Sequence, residues 1–283
     1  MLFLGVITLA AMVLYFFAVP LLIYFTFKFQ AYPDIEPIDP TGGMPKPVMQ
    51  FFDECYRQLI PLQFEHMGTC SIPSAVTNAK TLLALYQNHK AGTNSISTAI
   101  YGKVNGTWTL QQQYVEHSTK LSDEITINTG NQPGISAFPT PRGYVNTQHP
   151  DLQAMSELFE AHLAIIKHHG QGLRPVMELQ SKFNGDAPKY IATGIHGELI
   201  KAASAGRLKL KQLEHDNSTA TPQVSNPYQS PAPSVIEQGS HFVATLPGAY
   251  LITWKELWPI KPIVARMKYA KDRKVRRAAG FPK

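Results

Sequence analysis

The sequence predicts an α+β protein: an N-terminal transmembrane helix, then an antiparallel β-meander covered by helices, then a basic amphipathic C-terminal helix. Three observations predict it. Leu2 to Phe27 holds no charged residue. From Leu62 to Thr129 apolar residues recur with period two, the signature of half-buried strands. Before that stretch, over Val48–Leu59, and beyond Pro150, they recur at three and four, which places them on one face of a helix.

Composition narrows the class. Of 283 residues 44% are hydrophobic and 16% charged, well under the ~25% charged of soluble domains. With 19 Gly, 22 Pro and 2 Cys the chain is neither a collagen nor a disulfide scaffold. Its 12 Tyr, 14 Phe and 3 Trp exclude wholesale disorder. The formal charge of +6 is unevenly placed. Lys255–Lys283 carries 10 Lys/Arg against 2 acids, whereas the first 254 residues carry 16 against 18. A basic tail is attached to a slightly acidic body, and an anionic surface is its natural partner.

The apolar run comes first. About 20 helical residues cross a ~30 Å hydrocarbon core, so 26 uncharged residues have length to spare. No base precedes the run and no small-residue cleavage site follows it, which favours an uncleaved single-pass signal-anchor over a signal peptide. Lys28 and Lys46 lie on its C-terminal side, so the rest of the chain is expected on the cytoplasmic side. This reading assigns 1–30 to the anchor and 31–47, with five prolines, to a semi-rigid spacer.

The next domain spans 48–170. Pro47 opens a helix over Val48–Leu59, with Val48, Phe51, Phe52, Cys55 and Leu59 on one face. Five strands follow: Leu62–Ser71, Ala79–Asn88, Ser95–Val104, Thr107–His117 and Glu124–Thr129. Asn105-Gly106 between two alternating runs predicts a two-residue type I′ hairpin, pairing Val104 with Thr107, Lys103 with Trp108 and Tyr101 with Leu110. That register puts Tyr101, Trp108, Leu110 and Tyr114 on one face. Asn131–Pro150 reads as an irregular loop. A helix from Asp151 to His169 then covers the sheet.

Over 171–248 the pattern predicts helices at Met177–Phe183 and Ile191–Ala205 and strands at Arg207–Leu213 and His241–Ala244, with a flexible loop at 216–234. In outline the helix, strand, loop and returning strand resemble the end of a winged-helix module. Within 249–283 an aromatic amphipathic helix, Ala249–Trp258, leads into a basic one, Ile263–Ala279.

Motifs for chemistry are few. His162 and His169 share a helical face without an H-E-x-x-H, and His66 and Cys70 share a strand face at about 13 Å separation. No nucleophile elbow, Walker loop or G-x-G-x-x-G occurs. The sequence therefore supplies no argument for catalysis, a metal or a cofactor. It predicts a binding or scaffolding module whose tail contacts an anionic membrane through Trp254, Trp258, Lys268, Lys271, Arg273, Lys274, Arg276 and Arg277. The lipid bilayer is the expected partner, with a protein partner open and nucleic acid disfavoured because the bases cluster at one end. A membrane-tethered enzyme, with a pocket between the meander and the 151–169 helix, is the competing reading.

Overall fold

The computed structural model describes residues 2–39, 44–72, 79–104, 107–122, 125–134, 140–211, 240–257 and 260–282. The chain divides into two compact units. One comprises 34–135, 140–191 and 265–283; the other comprises 1–33, 136–139 and 192–264.

The larger unit is built on a seven-stranded mixed sheet in the order β2-β3-β4-β5-β6-β7-β8. Its strands are β2 (Glu36–Pro37), β3 (Glu65–Ile72), β4 (Ala79–Asn88), β5 (Thr93–Val104), β6 (Thr107–Lys120), β7 (Thr126–Gly130) and β8 (Tyr144–Gln148). The first six run antiparallel, and β8 is added parallel to β7. The predicted meander is therefore extended at both ends, by β2 within the proline-rich stretch and by β8 within the stretch read as an irregular loop.

The hairpin register agrees with the sequence: Val104 pairs with Thr107, Lys103 with Trp108 and Tyr101 with Leu110. The turn residues Asn105 and Gly106 lie outside the described residues, as do Trp258 and the 216–234 loop. One face assignment changes. The register shifts between Ile100, paired with Gln112, and Tyr101, paired with Leu110, so Gln111 is an extra residue in β6. A bulge reverses every side chain beyond it. Tyr114 thus pairs with Thr98, on the face opposite Tyr101, Trp108 and Leu110. A second bulge at Met67 does the same in β3. His66 pairs with Tyr86 but Cys70 with Leu83, so the two sit on opposite faces and cannot form one site.

One face of the sheet packs on α2 (Lys46–Leu59) and α3 (Met155–Gly170). Val48, Phe52, Cys55 and Leu59 of α2 and Leu158, Phe159 and Ala161 of α3 meet Leu82, Ala84, Tyr86, Ala99 and Val115 in one core. The other face carries α4 (Glu178–Ser181) and the first residues of α5 (Ala187–Ser204). There Gln180 donates to Gln87 Oε1 (3.2 Å) and Asn94 donates to the Tyr190 hydroxyl (2.8 Å).

The smaller unit contains α1 (Leu2–Thr26) and a three-stranded sheet of β1 (Lys28–Gln30), β10 (His241–Ala244) and β9 (Leu208–Lys211). Its core joins Ala31, Ala202, Leu208 and Phe242, with Phe27 against them. The predicted transmembrane helix is corrected here. Among the described residues no helix is long and apolar enough to cross a membrane. The single-pass membrane localisation drawn from the 2–27 run falls with it. The described part of the segment makes contacts within its own unit. Phe17 meets Tyr250 edge-on at 6.5 Å, Pro20 is buried, and the chain passes through Phe27 directly into β1, paired with β10.

α6 (Leu246–Thr253) starts at a built cap: Thr245 Oγ1 accepts from Gly248 N (3.1 Å) and bonds the Gly206 carbonyl (2.7 Å). Gly248 abuts the Arg207 carbonyl oxygen, which a Cβ there would meet at 1.8 Å. Thr245→Ala removes the cap while leaving the backbone free to follow. It should cost about 1 kcal/mol, read as a lowered urea midpoint with unchanged m-value.

Candidate functional site

Three places in the larger unit concentrate polar chemistry. The first is α7 (Ile260–Ala278), from Ala265 onward. Asp272 is buried and accepts from Gln148 N (2.8 Å) and from Lys268, whose Nζ also donates to Asn146 O (3.0 Å). One turn later Arg276, 1% exposed, donates to Asp151 Oδ2 (2.9 Å) and lies over the Phe281 ring. Tyr269 accepts from Gly134 N (2.9 Å). These contacts fall on one side of the helix, because Lys268, Asp272 and Arg276 follow one another at i, i+4, i+8. At about 100° per residue, Lys274 and Arg277 occupy the opposite side and Lys271 and Arg273 its two flanks, and all four are exposed.

The eight residues predicted to touch a membrane surface therefore separate. Lys268 and Arg276 are structural: Lys268 bonds Asp272 one turn along the same helix and the Asn146 carbonyl, and Arg276 pairs with Asp151. Lys271, Arg273, Lys274 and Arg277 form the solvent-facing remainder. Trp254 lies in the smaller unit, half-buried in a short 3-10 turn, Trp254–Glu256.

The second place is a buried seam between the sheet and α3. His162 is fully enclosed, with Nε2 bonded to Thr119 Oγ1 and Nδ1 to Thr129 Oγ1, both at 2.9 Å. Thr119 bonds Thr93 in turn (2.8 Å). His117 lies 5.7 Å from His162 between Phe64 and Phe159, and neither ring nitrogen has a partner. Burial pushes His117 down to about 3, and burial with the neighbouring His117 holds His162 well below the usual histidine range. His149 is lowered to about 4 by burial and then by Arg276. Neutral, enclosed imidazoles of this kind are core residues.

The cysteines are equally unsuited to nucleophilic work. Cys55 and Cys70 are unpaired and buried, and burial raises each thiol to about 11, so almost no thiolate exists at neutral pH.

The third place was not visible to pattern reading. On the sheet face opposite the seam, cross-strand rows run through β6, β7 and β8: Glu116, Gly130 and Gln148; Ser118, Asn128 and Asn146; Lys120, Thr126 and Tyr144. None of the nine is aliphatic. The side-chain oxygens of Asn128, Asn146 and Gln148 are buried without a hydrogen-bond partner. Lys120 is held by Glu178 (2.9 Å), and hydrogen bonds from Lys182 and Lys120 outweigh burial to keep the Glu178 carboxyl below its ordinary value.

No protein-family model, curated protein or solved structure matches this chain. Function is therefore argued from these groups alone. Among the described residues no cluster of three or more His, Cys, Asp or Glu is arranged to hold a metal.

Proposed function

We propose that the chain is a binding module and that the outer side of α7 takes up a polyanion with closely spaced phosphates. The observation that carries this is the division of labour along α7. Hydrogen bonds of Lys268 and Asp272 to the β8 backbone and the Arg276–Asp151 ion pair tie one side of the helix to the domain and leave Lys271, Arg273, Lys274 and Arg277 exposed. A mobile tail would spend conformational entropy on ordering its bases at the moment of contact. Here the helix is already ordered, and each base near an anionic surface contributes about 1 kcal/mol.

The test titrates the full chain, at one ionic strength, against phosphatidylserine-containing vesicles, neutral vesicles and duplex DNA. Binding to one of the two phosphate-bearing probes, weakened at least tenfold by replacing the four exposed bases with Gln and weakened likewise by salt, is expected. The preferred probe identifies the source of the phosphates. Binding to neither, or binding indifferent to the four substitutions, overturns the reading.

A further inference from the structure

We propose that α7 is a displaceable cover on an open sheet edge, and that β8, once uncovered, pairs antiparallel with β8 of a second copy of this chain. β8 ends the seven-stranded sheet, with β7 on one side only. An edge strand presents backbone N–H and C=O groups that another strand can take up. Here the outward groups are met by α7. Lys268 Nζ donates to the Asn146 carbonyl (3.0 Å) and Asp272 accepts from Gln148 N (2.8 Å). Lys268 and Asp272, one turn apart and bonded to each other, thus supply a donor and an acceptor in the places where a neighbouring strand would supply its own. Further back, Tyr144 N is bonded to Pro141 O (3.2 Å). The opposite edge of the sheet is protected in another way, since β2 is two residues long and contains Pro37.

The cover is held by polar contacts. The buried residues of α7 are Asp272 and Arg276, both charged, and Met267 is 68% exposed. Elements with few buried apolar contacts open at free energies below that of global unfolding. A strand buried under an apolar helix face would not be released in this way.

The uncovered edge is complementary to itself. In an antiparallel pair, residues that exchange both N–H···O bonds alternate with residues that exchange none. With Thr147 opposite Thr147 on a two-fold axis, Asn146 of each copy stands opposite Gln148 of the other. The bonds formed then include those from Gln148 N to the Asn146 carbonyl, the same two groups that Asp272 and Lys268 hold within one chain. The side chains fit this register too. The Asn146 and Gln148 side-chain oxygens are buried without a hydrogen-bond partner, and directly opposite residues interact across a strand pair. A carboxamide carries both donor and acceptor, so Asn146 and Gln148 are suited to face each other. The resulting interface is isologous and closes at two copies.

Sedimentation velocity of the full chain over a wide concentration range tests this. Asp272→Lys removes the acceptor from Gln148 N and sets two cations against each other at i, i+4, so α7 should lift. The variant should reach about twice the monomer mass as concentration rises, while the wild type should not. Lys268→Glu, at a more exposed position, repels Asp272 and the Asn146 carbonyl and is a second route to the same state. Adding Gln148→Pro to either variant removes the N–H that a partner strand needs, in a position where edge strands tolerate proline, and should restore the monomer. Amide exchange on the wild type needs no substitution. The Gln148 amide and those of residues 265–278 should open together, and more readily than Leu83 and Leu85 of the central strand β4. Exchange of Gln148 as slow as that of Leu83 and Leu85 overturns the proposal, because α7 is then not displaceable. So does a variant that keeps the wild-type circular dichroism yet stays monomeric, a wild type that associates equally, or association that survives Gln148→Pro. No polyanion enters these readings and the four exposed bases are unchanged, so failure here is distinct from failure of the proposed function.

Discussion

Acidification should unfold this protein cooperatively between about pH 6 and pH 4, well above the range where carboxylate protonation alone would act. Three enclosed histidines set this window. In the unfolded chain each titrates near 6.5. In the folded one His117 is held down to about 3, His149 to about 4, and His162 well below its ordinary value. Below pH 6.5 the unfolded chain therefore takes up protons that the folded chain refuses. Stability is full above 6.5 and is lost as pH falls toward the folded values. Each such histidine contributes a slope of about 1.4 kcal/mol per pH unit, so three together give about 4 kcal/mol per unit. Against a total stability of about 5–15 kcal/mol, about one to four units suffice to unfold the domain. Glu178, held low by its two lysines, adds in the same direction at the acid end.

The surroundings of His117 make the test specific. Phe64, Phe159 and His162 face it, and neither nitrogen is bonded. His117→Leu deletes no hydrogen bond and should flatten the slope by about a third, moving the acid midpoint down. His162→Leu deletes the bonds to Thr119 and Thr129 and should destabilise at every pH. Circular dichroism against pH, with urea midpoints at pH 7 and 5.5, measures both. A wild-type chain with the same urea midpoint at the two pH values would show that water reaches these rings.

The seam also shows why parts of the fold were legible in the sequence and parts were not. β4, β5 and the β5–β6 register were readable because Leu82, Ala84 and Tyr86 alternate with a second set of side chains, and Asn-Gly marks the turn. β7 was readable as Glu124–Thr129, but β8 was not, since both of its faces are polar. Val145 is its only aliphatic residue, so alternation has little contrast to work on. Bulges at Met67 and Gln111 leave no mark in composition, yet they move Cys70 and Tyr114 to the opposite face. The apolar run at 2–27 misled for a different reason. Hydropathy measures what a segment avoids, not what it meets, and here the described part meets Tyr250 and the strands of its own unit.

The candidate sites follow the same logic. A charge count locates the basic helix but treats its lysines and arginines alike. Only tertiary structure separates Arg276, enclosed against Asp151, from Arg273 and Arg277 on the outer side. The buried amides of the polar sheet face are still less visible. Asn128 lies in the middle of one strand and Asn146 and Gln148 on another, and their juxtaposition depends on the parallel pairing of β7 with β8. A parallel addition has no short-range turn signal comparable to Asn-Gly.

Removing Asp151 should cost far more than removing the arginine it pairs with. The Arg276 guanidinium is 1% exposed, cannot shed its proton, and has one bonded nitrogen, with Nε and Nη1 lacking partners. Its desolvation is thus only partly offset, by Asp151 and the Phe281 ring. Asp151→Ala strands a buried charge. Such changes cost about 3–5 kcal/mol, and because the Asp151 side chain is 43% exposed the lower end of that range applies here. Arg276→Met deletes the charge and both orphaned nitrogens together while keeping the stem. Replacement of a buried ion by an apolar group of similar volume is often neutral or stabilising, so its effect should lie within about 1 kcal/mol of zero. The double variant should recover most of what Asp151→Ala loses, a coupling that urea midpoints at constant m-value report. If Asp151→Ala costs under about 1 kcal/mol, the pair behaves as an ordinary surface salt bridge, and α7 is held by its bonds through Lys268, Tyr269 and Asp272. That distinction reaches the proposed function. A helix released at Arg276 keeps all four outward bases but not their common direction, so polyanion binding by Asp151→Ala should weaken although no contacting charge has been removed.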